Sequence, residues 1–204
     1  MFGARNLFLL SLGIFFLLGS VFSSAYSGQF SNAKIGIQVN SNKKIFPAKS
    51  RDKLQEGGSY KVFIEPTEAS WVYIIKSTTE NSSLLKAIKL SKNQKFYFPE
   101  NDSSLDLGKN GDKVLLSVVN SPSPIQKIEA LFKSSSTPYS KWSGLEEELT
   151  QQTQNKLTSL SSKPISIAGA FRSTTMRPVW SDKFLPVFSA APHLIRKFEF
   201  DVQK

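Results

Sequence analysis

Cysteine is absent from this 204-residue sequence, and histidine occurs once, at His193. The first absence removes disulfides, thiol nucleophiles and thiolate metal ligands. The second leaves any zinc site to His193 and distant carboxylates, whereas such sites draw on several nitrogen or sulfur donors. A Ser-His-Asp arrangement would have to pass through the same histidine, and no Gly-x-Ser-x-Gly elbow occurs. Phosphate-cradling glycine loops are missing as well, because Gly57-Gly58 is not followed by a lysine and a helix. The sequence therefore predicts no metal, no cofactor and no nucleophilic catalytic residue. His193, just after Pro192 at the start of a strand, reads as a surface or capping residue.

The carboxylates give two further tests. Asp102, Ser104 and Asp106 fall at positions 1, 3 and 5 of a calcium loop, but Leu107 stands where glycine is needed and Lys113 where glutamate is needed. The stretch fails as an EF-hand. Glu146, Glu147 and Glu148 are candidates for paired-carboxylate glycoside chemistry, yet consecutive residues point around a helix and not at one substrate. They read as the acidic first turn of a helix, favoured by its dipole.

The first 25 residues carry the layout of an export signal. Arg5 supplies the charge, Leu7 to Phe22 is almost wholly apolar, and Ser23-Ser24-Ala25 offers small residues for cleavage after Ala25. The alternative, an uncleaved anchor, is disfavoured by length, since sixteen helical residues rise about 24 Å against a hydrocarbon core of about 30 Å. The predicted mature chain has no transmembrane segment and is periplasmic or extracellular. It keeps 25 Lys and Arg against 16 Asp and Glu, a formal +9, because Arg5 is the only charged residue removed. Its lack of cysteine suits a bacterial envelope protein large enough to build a core without disulfides.

Nucleic acid is not expected as a partner of an exported protein. The densest basic stretch, Lys43, Lys44, Lys49, Arg51 and Lys53, has no interleaved aromatics to stack bases. Diffuse positive charge is a solvated surface with weak attraction to polyanions.

Along the chain, residues 26–33 read as a polar tether. Period-two alternation marks strands at Lys34 to Val39, Tyr60 to Ile64 and Ser70 to Lys76. In the last of these Trp71, Tyr73 and Ile75 share one face and Val72 and Ile74 the other, so the strand is central and covered on both sides. Further strands are predicted at Leu84 to Leu90, Lys95 to Phe98, Leu105 to Leu107, Lys113 to Val119, Ile165 to Phe171 and His193 to Val202. Residues 40–58 read as turns. Pro124 to Lys133 is an amphipathic helix, Ser134 to Ser143 a serine-rich connector, and Leu145 to Leu160 a second helix. Arg172 to Pro192, with three prolines, reads as an irregular cover in which Trp180, Phe184 and Phe188 grip the core.

Residues 54 to 132 resemble a bacterial extracytoplasmic module, domain-of-unknown-function family 4384. The likeness rests on Gly57-Gly58, Tyr60 to Ile64, Trp71-Val72-Tyr73-Ile74-Ile75, Phe96-Tyr97-Phe98-Pro99, Asn110-Gly111, Val114 to Val119, and Ser121-Pro122 followed by Ile125 to Leu131. This chain has Lys89-Leu90-Ser91-Lys92-Asn93 where the family carries a Phe-Pro-Asn-like turn. The resemblance implies a β-rich interaction module and no particular chemistry.

These readings give a mainly-β protein, an antiparallel β-sandwich of immunoglobulin-like architecture with roughly seven to nine strands and two short peripheral helices. One domain is expected over 34–204, with a helical insertion at 124–160. The expected function is an exported, non-enzymatic binding or interaction module for an envelope protein or glycan. Trp142, Arg172, Arg177 and Trp180, read as loop residues, are its candidate binding cluster. Trp71 and Tyr73, aromatic neighbours on one strand face, read as core before they read as a sugar or peptide platform. The alternatives are a carbohydrate-acting hydrolase with a carboxylate-based site and a basic polyanion-binding envelope protein.

Overall fold

Alternating apolar residues on both faces of Ser70–Ser77 can be satisfied only by cover on each side, and the computed structural model shows that cover. It describes residues 30–155 and 180–204. The predicted signal, the first residues of the predicted tether, the Ile165–Phe171 strand and both Arg172 and Arg177 lie outside the described residues.

In chain order the elements are β1 (Ser31–Ser41), β2 (Lys44–Ala48), β3 (Lys53–Gln55), β4 (Ser59–Pro66), β5 (Ser70–Ser77), β6 (Asn81–Leu90), β7 (Phe96–Phe98), β8 (Leu105–Asp106) and β9 (Lys113–Ser121). Helix α1 (Gln126–Leu131), β10 (Ser136–Pro138), helix α2 (Tyr139–Gln151), β11 (Gln154–Asn155), β12 (Val187–Ala191) and β13 (Leu194–Gln203) follow. Two open sheets pack face to face. One runs β11-β12-β1-β4-β7, with β2 beside β1 and β8 beside β4; the other runs β10-β6-β5-β9-β13-β3. Every pairing is antiparallel except β13 with β3.

The period of two sorts the side chains into two cores. Val72 and Ile74 of β5, Val114, Leu116 and Val118 of β9, and Phe198, Phe200 and Val202 of β13 point between the sheets, facing Ile35, Ile37, Val62 and Ile64. Tyr73 and Ile75 of β5 and Val119 of β9 point the other way, under Ile128, Phe132, Trp142 and Leu149 of the helical segment. At about 1.5–3 kcal/mol for each fully buried large apolar side chain, both layers contribute substantially to stability. Helix α1 starts without a side-chain cap of its own. The Tyr73 hydroxyl, rising from the sheet below, takes that role by accepting the Ile125 N–H at 2.9 Å.

The architecture is the expected sandwich with two short helices, but several boundaries differ. There are thirteen strands among the described residues; β7 and β8 fall where short strands are expected, whereas β3, β10 and β11, only two or three residues long, are too short for a periodic signal. The turn-rich 40–58 segment holds β2 and β3. Asn42 and Lys43 both take positive φ, 52° and 60°, and close a two-residue hairpin without the usual Asn-Gly pair. Strand β1 begins inside the predicted tether, with Ser31 and Ala33 buried. The second helix starts at Tyr139 and ends at Gln151, so it takes in part of the predicted serine connector. Glu146, Glu147 and Glu148 therefore lie past its midpoint and not in its first turn. In the described part of the proline-rich cover, Val187–Ala191 is a regular strand paired to β1.

Candidate functional site

On the outer face of the six-stranded sheet, β9 and β13 present alternate residues upward, and register pairs Ser117 with Lys197 and Leu115 with Glu199. Helix α2 lies across this surface, turning Tyr139, Trp142 and Glu146 toward it at helical spacing. Between helix and sheet is a cleft of about 140 Å³ lined by these residues together with Ser77. Trp142 is fully buried and packs with its ring tilted against that of Phe132, centroids 5.7 Å apart, so the helical wall is fixed.

Glu146 is the chemical centre of the cleft. Only 4% of it is exposed. Its Oε1 accepts a hydrogen bond from the Ser117 hydroxyl at 2.5 Å, and its Oε2 meets the Lys197 ammonium at 2.7 Å. The Lys197 side chain is itself 59% exposed. The buried carboxyl group is thus satisfied by one buried hydroxyl and one amine reaching in from solvent. Glu199, the second carboxylate of the lining, is shared with Lys113 at 3.3 Å.

The neighbouring glutamates turn elsewhere. Glu147 pairs with Gln151 along the exposed helix face, while Glu148 bonds Lys127 of α1 and Gln152. The Lys127 contact, more than the others, holds the Glu148 carboxyl below its usual range. The three consecutive glutamates do not converge on one space.

The single histidine makes one contact that invites a catalytic reading. His193 Nδ1 lies 3.1 Å from Ser121 Oγ. However, Ser121 is fully buried and its hydroxyl proton goes to the Ser123 carbonyl at 2.7 Å, so the imidazole Nδ1–H must be the donor. A serine whose proton is committed to a carbonyl is not activated by that imidazole. Burial lowers the His193 pKa below its ordinary value, which favours the neutral ring. In the Asp102–Asp112 stretch, the Asp106 and Asp112 carboxylates accept the backbone N–H groups of Gly108 and Lys109 and act as turn anchors. Among the described residues no group of three His, Cys, Asp or Glu is placed to hold a metal ion.

The candidate binding cluster is not assembled. Trp142, expected in a loop, is a helical core residue with no exposed surface, because α2 begins three residues before it. Trp180 stands on the opposite outer face of the sandwich, its ring 6.0 Å from that of Phe63, and its backbone N–H donates to the Ile45 carbonyl. Trp180 and Leu185 approach β1 closely because Gly36 has no side chain; a Cβ there would come within 2.9 Å of Leu185 and 3.1 Å of Trp180. Phe188 packs on the core between the sheets and stacks under the Arg196 guanidinium at 4.0 Å. Tyr73 is buried and Trp71 half-buried, both in the layer under the helices. Glu146 had a sequence signal: it lies four residues after Trp142 and three before Leu149, on the buried stripe of α2. Ser117 and Lys197 had none, because only strand register makes them neighbours.

No family model, no curated protein and no solved structure matches the chain. No helix among the described residues is long and apolar enough to cross a membrane.

Proposed function

We propose that this protein is an exported, non-enzymatic binding module of the bacterial envelope, periplasmic or extracellular after cleavage near Ala25. The observation that carries the reading is the cleft between α2 and the β9–β13 pair. It is preformed, and it sets the polar groups of Ser77, Ser117, Glu146, Lys197 and Glu199 beside the aromatic and apolar ones of Tyr139, Trp142 and Leu115, a mixed concave surface suited to recognition. The export signal and the resemblance of residues 54 to 132 to the extracytoplasmic family 4384 belong to the same proposal and point the same way. The partner is an envelope protein or glycan.

Site-specific photocrosslinking in intact cells tests it. A photoreactive residue at Tyr139, on the cleft wall, is expected to trap an envelope component, whereas the same group at Ile45, exposed on the other sheet, is not. Retention of Met1 to Ala25 on a cytosolic protein removes the export half. Turnover of a cell-wall glycan that disappears in Glu146→Gln removes the non-enzymatic half.

A second reading, polyanion binding, is favoured by one feature. Lys43 and Lys44 at the β1–β2 hairpin and Lys49 and Arg51 in the next turn are exposed, with no side-chain ion pair among the described residues. Retention on an anionic matrix that falls steeply with salt supports it, and retention indifferent to salt excludes it.

A further inference from the structure

The Glu146 carboxylate is built to receive a cation, and the one it holds comes from the protein's own surface. The geometry points to a site for the primary ammonium of a partner's lysine side chain, which replaces Lys197 on Glu146 Oε2. This inference rests on the binding-module reading above and names the chemistry that reading leaves open.

Four observations carry it. Glu146 is nearly fully buried, so its charge is screened little by water and its preference for a cation is strong. Its present cationic partner is mostly solvent-exposed and sits at the end of a flexible stem, so it can swing out into water without leaving a buried charge of its own. The other carboxylate oxygen is already bound to Ser117 at 2.5 Å, which leaves one oxygen for a ligand. That selects a single-point ammonium over a guanidinium, whose fork needs both oxygens. Finally, the cleft has the right size. Its roughly 140 Å³ is close to the about 150 Å³ of an apolar protein cavity that accepts one benzene, which suits a short unbranched alkyl chain. The partly exposed Tyr139 and Leu115 line that path. An amino sugar carries the same ammonium, but its rigid ring is bulkier than an unbranched alkyl stem and fits so small a cleft less well.

Lys197 is then a built-in competitor. If it occupies Glu146 nine-tenths of the time, a ligand's apparent dissociation constant is raised about tenfold, and removing it should return that factor. Calorimetric or NMR titration of the full chain with Nα-acetyl-lysine N-methylamide, its norleucine analogue and glucosamine provides the test. Lys197→Met is expected to bind the lysine probe about five- to tenfold more tightly than the wild type. Glu146→Gln, which keeps an acceptor for Ser117, is expected to lose that binding, with an unchanged melting profile showing that it folds. Equal binding by wild type and Lys197→Met overturns the proposal and does not depend on the glutamate variant folding. Equal binding of the norleucine probe, which shows an apolar cavity only, overturns it, as does tighter binding of glucosamine than of the lysine probe. The photocrosslink from position 139 separates the two levels. An adduct that persists in Glu146→Gln leaves the module reading standing without the lysine site. Probe binding without any adduct does the reverse.

Discussion

The Tyr73 hydroxyl lies 2.9 Å from the backbone nitrogen of Ile125, joining the central strand of one sheet to the first turn of helix α1. The same oxygen donates to Glu129 at 3.2 Å. One phenol thus anchors the helical layer to the sheet that carries the cleft floor. Tyr73→Phe keeps the ring packing but leaves a buried N–H without its acceptor, a loss of about 1–3 kcal/mol. Urea unfolding should show that loss, and an unchanged midpoint would mean that α1 is held by apolar contact alone.

Tyr60 is the opposite case, since its hydroxyl is buried and has no hydrogen-bond partner. Tyr60→Phe removes an unsatisfied polar group and should raise stability at neutral pH by about 1 kcal/mol. Burial, reinforced by Asp106, pushes its pKa well above the ordinary 10.0. The unfolded chain releases the proton first, so the stability this shift contributes is present below pH 10 and lost above it. Wild-type stability should therefore fall as pH rises past about 10, and the phenylalanine variant should fall less.

Asn120 ties the two sheets together. Its side chain accepts from Ser70 of β5 and donates to Ser31 of β1, each at 2.6 Å, while Ser31 donates back to its carbonyl at 2.8 Å. Asn120→Ala orphans the buried Ser70 hydroxyl and removes one of the two bonds of Ser31, which keeps its bond to the backbone carbonyl; it should cost about 2–4 kcal/mol in chemical denaturation, against about 1 for Ser70→Ala. Equal costs for the two variants would show that the network is not cooperative.

His193 gives the acid limb. Its burial-lowered pKa means that the unfolded chain binds a proton, near 6.5, before the folded one does. The stability it contributes is full above that value and is lost as pH falls below it. His193→Gln should flatten the pH dependence of the melting temperature in the window just below 6.5. A slope identical to that of the wild type would assign the acid response to other groups.

Gly36→Ala addresses the cover on the far sheet. The new Cβ meets the tips of Leu185 at 2.9 Å and Trp180 at 3.1 Å, so the 180–185 segment must shift. Because side-chain tips give way more easily than backbone, the expected cost is small, about 1 kcal/mol. The clearer readout is a red shift of Trp180 emission, measured with Trp71 and Trp142 replaced by Phe. Unchanged emission would mean that the glycine is not needed for that contact.

The strands most legible in the sequence are those buried on one or both faces over at least five residues, although the short β7 and β8 are marked by their apolar residues beside proline and turn signals. Tyr60 to Ile64, Ser70 to Lys76 and Lys113 to Val119 carry their alternation in adjacent residues, so local pattern suffices. Strand β2 escaped because Asn42-Lys43 supplies a left-handed turn without glycine, and because Pro47 reads as a break although it lies in a strand paired on one side only. Trp142 was misplaced because the serines before it resemble a linker, whereas Glu80 and β6 receive that segment and fix the helix start.

What the amino-acid order determined by itself was the sheet-rich class, the two helices and the doubly covered central strand, since each follows from the spacing of apolar side chains within a short window. What only the tertiary structure decided was which charges are buried and with whom. Glu146 was one of three like glutamates until α2 was laid across β9 and β13. Ser117 and Lys197 became its partners only through strand register, which depends on pairing segments far apart in the chain, where no local period reaches.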